Sequence, residues 1–197
     1  MHRRSVPGRS IPVLLVGIAL VTLITACSDS RGRTATPGST TAPTEPASTK
    51  PSSARPREIK LDGKDPCQLL TAEQLPSLKI DEPGHPGNAP AFKAKECSWT
   101  VTGADSRLAP VTSEGIEVWT GSKRIGQAEE TPPIAGFPAI SVTIASDKDR
   151  CDVMVDVADG QYLLATFSLS GFKPEEFPKP CDGARQLAEA AMQNLMK

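Results

Sequence analysis

The sequence predicts an α+β domain of about five mostly antiparallel strands, with short N-terminal helices and a C-terminal amphipathic helix on one face, and two disulfides. Three observations carry that reading. Apolar and polar residues alternate in runs between positions 97 and 169, as strands with one buried face require. Small and aliphatic residues recur at helical spacing at the end of the chain, and four cysteines stand far apart within the same stretch. Every aromatic residue of the 197-residue chain falls within residues 57–197, so these positions are expected to form one domain. A domain of that size buries roughly two-thirds of its unfolded surface and sustains its own core.

Asp65-Pro66-Cys67-Gln68-Leu69-Leu70 opens like a helix, because Asp65 can cap it and Pro66 suits a first helical position whose N–H has no partner anyway. Thr71-Ala72-Glu73-Gln74 then has capping-box spacing, and Pro76 limits continuation, so two short helical turns are expected. The Pro- and Gly-rich DEPGHPGNAP, residues 81–90, reads as a loop. Strands are expected at Cys97–Val101, Ile116–Val118 and Ile140–Ile144, each from alternation.

Val153, Val155 and Val157 share one face of a further strand, Ala158-Asp159-Gly160 makes a turn, and Tyr162–Leu169 completes a hairpin. A three-residue loop with Gly160 left-handed aligns Val155 with Leu163 and Val153 with Ala165, which keeps the apolar sets together. The tail from Cys181 to Lys197 places Ala184, Leu187, Ala188, Ala191 and Leu195 on one helical stripe. Asp182 near its start and Lys197 at its end suit the helix dipole.

Cys67, Cys97, Cys151 and Cys181 lack the close pairs of a structural zinc site, so disulfides are the better reading. Spacing alone leaves three pairings open. The hairpin puts Cys151 beside the end of the second strand, from which a short connection leads to Cys181. Cys151 is thereby expected to pair with Cys181, leaving Cys67 for Cys97.

At the amino terminus, Arg3, Arg4 and Arg9 precede the apolar run Ile11–Ile24, and the small residues Thr25 and Ala26 precede Cys27. A spanning helix needs about 20 apolar residues, so this shorter run reads as a signal peptide over residues 1–26, directing export through the secretory pathway. Ile24-Thr25-Ala26-Cys27 resembles the lipobox of bacterial lipoproteins. The resemblance implies lipidation of Cys27 with diacylglycerol, cleavage before it, and acylation, with palmitate, of the new amino terminus. Two or three acyl chains suffice for a stable anchor. The Ser/Thr/Pro-rich residues 28–56 contain no Val, Leu, Ile, Phe, Tyr or Trp and cannot offset the entropy of folding. Residues 27–56 are thus expected to be a lipidated cysteine and a disordered tether, averaging roughly 30 Å end to end.

DPCQLLTAEQL, CSWTV and PCDGARQLAEAA together look like the small actinobacterial lipoproteins of domain-of-unknown-function family 3558. The likeness spans most of residues 65–195 and implies a lipoprotein of an actinobacterial envelope, on the extracytoplasmic face of the cell membrane. It carries no catalytic residues to transfer.

Chemistry is sparse. Residues 57–197 hold 15 Lys and Arg against 21 Asp and Glu, a mildly acidic balance without the basic patch that nucleic acid requires. His85 stands in a PGHPG loop without a partner base or ligand cluster, so no catalytic residue, metal or cofactor is expected. Asp152 and Asp156 share a strand face and read as solvated outer-face carboxylates rather than an acid pair. Phe172 and Phe177, in GFKPEEFPKP, form a candidate binding patch, although folding back over the core is the stronger reading.

The function these features support is a membrane-anchored, non-enzymatic module that binds a small ligand or an envelope protein. The alternatives are an envelope hydrolase using acidic residues and a structural accessory of an export or cell-wall assembly. For the anchor, metabolic labelling with a fatty-acid analogue is expected to mark the protein and to lose that mark in Cys27→Ala; a labelled mutant contradicts the assignment.

Overall fold

Seven strands, not five, build the sheet in the computed structural model, which describes residues 55–121, 123–171 and 174–197. Two 3-10 turns, Pro66–Gln68 and Leu75–Leu78, come first. They are followed by β1 (His85–Ala89), β2 (Ala94–Val101), β3 (Ala104–Val111), the one-turn helix α1 (Glu117–Thr120) and β4 (Gln127–Ile134). β5 (Phe137–Ile144), β6 (Asp147–Ala158), β7 (Gln161–Leu169) and helix α2 (Pro180–Leu195) complete the α+β domain. The order across the sheet is β1-β2-β3-β7-β6-β5-β4, with every neighbouring pair antiparallel.

The most legible elements form for the reasons the sequence suggests. Asp65 accepts the Cys67 N–H at 2.9 Å, and Gln74 Oε1 accepts the Thr71 N–H at 2.9 Å, closing the two caps. In the β6–β7 hairpin Val153 faces Ala165 and Val155 faces Leu163, with Gly160 at φ +70°. That register follows from the left-handed turn position, which glycine fills without a Cβ clash.

Three expectations fail. The segment expected as a loop supplies β1, because a strand at the sheet edge bonds on one side only and so tolerates Pro86, which lacks an N–H. Ile116–Val118 is not a strand: the chain turns into α1, where Trp119 N–H bonds to the Ile116 carbonyl at 3.1 Å. Three residues are too few to separate period two from helical spacing. β3 and β4 went unanticipated, since Pro110, Pro132 and Pro133 break their alternation. The prolines also guard the sheet: β4 bulges between Thr131 and Ile134, and Arg185 of α2 donates to the Pro132 and Pro133 carbonyls.

One face of the sheet is the main core. Leu108, Val153, Val155, Leu163, Ala165 and Phe167 pack there beneath Ala184, Leu187, Ala188, Ala191 and Met192 of α2. Each large side chain so buried contributes about 1.5–3 kcal/mol. Two disulfides pin this layer: Cys67–Cys97 ties the first 3-10 turn to β2, and Cys151–Cys181 ties β6 to the start of α2. Each spans 30 residues and is worth about 3–4 kcal/mol through the unfolded chain's entropy.

The chain must also travel from β3, in the interior of the sheet, to β4 at its far edge. Residues 112–121 and 123–126 lie on that crossing, over the face opposite α2, and Trp119 packs there in a second apolar cluster with Val111, Ile140, Val142, Met154, Tyr162 and Leu164. Both faces of β6 and β7 are therefore covered, and residues 151–158 are buried without interruption.

Gly183 shows how closely α2 lies on the sheet. A Cβ there would stand 2.6 Å from Cγ and Cδ1 of the buried Phe167 ring. Alanine normally favours a helix interior over glycine by about 1 kcal/mol. Overpacking outweighs that preference here, so Gly183→Ala is expected to lower stability by about 1–3 kcal/mol. A denaturant midpoint above that of the wild type contradicts the packing argument.

Candidate functional site

The face opposite α2 carries the most elaborate polar chemistry among the described residues. Register brings Ser98, Arg107, Thr166 and Asp152 into one row across β2, β3, β7 and β6. Asp152 is 4 % exposed, and its Oδ1 accepts a 2.6 Å hydrogen bond from the Thr166 hydroxyl. Arg150, two residues earlier on the same strand face, donates to the same carboxylate from Nε at 3.1 Å and from Nη2 at 3.0 and 3.1 Å. The buried charge is thereby paired and hydrogen-bonded, the condition under which burial is tolerable.

Over the adjoining rows lies the crossing segment, fastened by a second network. Trp119 Nε1 donates to the Tyr162 hydroxyl oxygen at 3.3 Å, and the Tyr162 hydroxyl donates to Glu114 Oε1 at 2.8 Å. Arg124 Nη2 donates to the same Glu114 oxygen at 2.5 Å, while its Nη1 donates to the Ala91 carbonyl at 2.9 Å. The Arg124 guanidinium also lies 5.2 Å from the Phe92 ring centroid and 5.7 Å from that of Trp119, within cation–π range.

Between this cover and the polar row is a cavity of about 240 Å³. Ala109 and Leu164 give it an apolar floor, Asn88–Phe92 one wall, and Glu96, Arg107, Arg150 and Thr166 its polar lining. Arg107 is exposed, and its side chain makes no ion pair or hydrogen bond among the described residues. A second, larger cavity of about 540 Å³ lies between the first 3-10 turn and the β1–β2 hairpin. Its charged lining is Lys64, Lys93 and Lys95, all exposed and solvated, with Asp65 already engaged as a cap and Glu96 shared with the smaller cavity. The smaller cavity has the more ordered polar groups and is the better candidate site.

Of the residues singled out from the sequence, the two aspartates are placed differently. Asp152 and Asp156 are not solvated: Asp156 is 8 % exposed and accepts from Arg55 Nη1 at 2.6 Å, while Arg55 Nη2 reaches Asp159 at 2.5 Å. Strand alternation placed both on the face away from the main core, but could not foresee that this face is itself covered. His85 is exposed on the edge strand. Phe177 is half-buried, with its ring centroid 6.5 Å from that of Phe167. It packs on the core instead of presenting a patch, and Phe172 lies outside the described residues. Cys27, the expected lipidation site, lies outside them as well.

Phe92, Glu96, Arg107, Arg150 and Thr166 were not anticipated. Arg150-x-Asp152 was the one legible signal, since positions two apart share a strand face. Among the described residues no group of three or more His, Cys, Asp or Glu is placed to hold a metal ion, and no helix is long and apolar enough to cross a membrane.

Tyr162, the single tyrosine of the chain, reports on the cover. Burial pushes its phenol well above the ordinary value; the Trp119 hydrogen bond opposes this, and the Glu114 carboxylate adds to it. An unfolded tyrosine ionises near pH 10. The folded state therefore keeps a proton that the unfolded state loses. The stability due to this group is fully present below about pH 10 and is lost as pH rises toward the folded value, by about 1.4 kcal/mol per unit. Tyrosinate absorbance is expected to stay absent in the folded protein at about pH 11, with a shallower alkaline loss of stability in Tyr162→Phe. Ionisation of the folded protein near pH 10 contradicts this.

No curated protein and no solved structure matches the chain. A family model does, over residues 22–194, and its description is a protein of unknown function. The matched region takes in the CSWTV strand, both disulfides, the crossing segment, the cavity and nearly all of α2, so the chain belongs to the DUF3558 family.

Proposed function

We propose that this protein is a lipid-anchored envelope lipoprotein of the actinobacterial type, exported through the secretory pathway, whose folded domain binds a ligand or partner at the face opposite α2 without transforming it. The anchor half of the reading rests on the sequence. The family match begins at residue 22 and so includes Ile24-Thr25-Ala26-Cys27, the stretch that resembles a lipobox. On this reading the domain stays close to the outer surface of the membrane, joined to Cys27 through the residues that lead up to Arg55, whose guanidinium is bonded to Asp156.

The observation that carries the binding half is the cavity beside Phe92. It joins an apolar floor to an uncommitted guanidinium, Arg107, and to an oriented one, Arg150. Binding sites combine such apolar walls with a few placed polar groups. The hydrolase alternative has less support. Its acidic residues, Asp152 and Asp156, are each bonded to an arginine, and Asp152 also accepts the Thr166 hydroxyl, so their oxygens are already engaged within the fold. Neither stands as a free acid beside a nucleophile.

Photo-crosslinking in intact envelopes tests the proposal. With Asn88, at the cavity wall, replaced by a photoreactive residue, a discrete adduct is expected; the same replacement at exposed Gln193 of α2 is expected to yield none. A stoichiometric protein adduct from position 88 points to an accessory role in an assembly, and a small-molecule adduct to ligand carriage. Equal labelling from both positions, or none from position 88, overturns the assignment of the face.

A further inference from the structure

The charges around the cavity restrict what it can hold. Arg150 spends Nε and Nη2 on Asp152, and the Thr166 hydroxyl fixes that carboxylate from the other side, so the guanidinium is oriented but its charge is already balanced. Its Nη1 hydrogens have no partner among the described residues. Arg107, paired with Thr166 across β3 and β7, brings an unbalanced positive charge to the same lining. Glu96, on β2, brings a negative charge that likewise has no ion-pair partner among the described residues.

We infer, on the binding reading above, that this cavity takes a monoanionic carboxylate carried on a compact apolar body. A guanidinium presents paired N–H groups that match the two oxygens of a carboxylate. Arg107 supplies that fork, and the Nη1 hydrogens of Arg150 supply a further donor of fixed direction. Behind them Ala109, Leu164 and Phe92 give the apolar body its surface. An apolar cavity of about 150 Å³ holds benzene, so about 240 Å³ suits a ring with a short acidic arm. A dianion is disfavoured, because one unbalanced guanidinium answers only one of its charges and Glu96 repels the other.

The test uses the full-length chain in nonionic detergent, titrated calorimetrically with 3-phenylpropionate, its neutral amide, phenyl phosphate and inorganic phosphate. Saturable binding of 3-phenylpropionate is expected, with loss of about tenfold to a hundredfold for the amide and for Arg107→Met, the range for a charged hydrogen bond. Because Arg107 is exposed, Arg107→Met is expected to keep the wild-type denaturation midpoint, which separates lost recognition from lost folding. Phenyl phosphate is expected to bind more weakly than the carboxylate and to recover in Glu96→Gln. Inorganic phosphate, lacking the apolar body, is expected to bind least.

The inference falls if the acid and the amide bind alike, if Arg107→Met binds like the wild type, if phenyl phosphate is the tighter ligand, or if no probe binds saturably. An adduct from position 88 in envelopes alongside any of those results leaves the binding reading standing and removes the carboxylate alone.

Discussion

The pairing of β3 with β7 is the constraint on which the rest of this domain depends. It joins two meanders, β1-β2-β3 and β4-β5-β6-β7, into a single sheet in which β3 is interior and β4 is the far edge. A chain that leaves β3 and must next form β4 has to pass three strands to get there. The α2 layer occupies one face, so the crossing is made on the other. Trp119 and the Tyr162–Glu114–Arg124 network fix the crossing segment to the sheet, and the cavity is the space left between that segment and the polar row beside it. The site is thus a consequence of strand order.

The two faces are stabilised in different ways. Beneath α2 the contacts are apolar and the cross-links covalent, so this layer depends on burial and on the reduced entropy of the unfolded chain. On the opposite face a smaller apolar cluster sits beside paired charges: Asp152 with Arg150, Glu114 with Arg124, and Asp156 with Arg55. Paired buried charges add little net stability but are costly to separate, which gives such groups fixed positions. Fixed polar groups beside an apolar floor are what selective binding needs.

The elements that were readable in advance share a physical trait. The β6–β7 hairpin was legible because Val153, Val155, Leu163 and Ala165 leave one register in which the apolar sets coincide, and Gly160 supplies the turn that register needs. The disulfide pairing followed from the hairpin, since Cys151 and the end of β7 are neighbours once the register is set. β1, β3 and β4 were opaque because prolines interrupt their patterns, and an edge position or strand end that excuses a proline is known only after the sheet is assembled. The crossing segment misled for a related reason: Ile116 and Val118 fit a strand locally, while Trp119 decides the matter by packing against residues about 20 to 45 positions away in the chain.

By itself, the amino-acid sequence determined the α+β class, the hairpin register, the terminal helix and the thiol pairing. These are encoded in periodicities and short motifs whose physics is local. Only the tertiary structure decided that Asp152 and Asp156 are buried and that Arg107, Arg150 and Phe92 meet around one cavity. Their meeting depends on which strands become neighbours and on which face the long connection takes. Those choices are made by burial across the whole domain, and no stretch of a few residues records them.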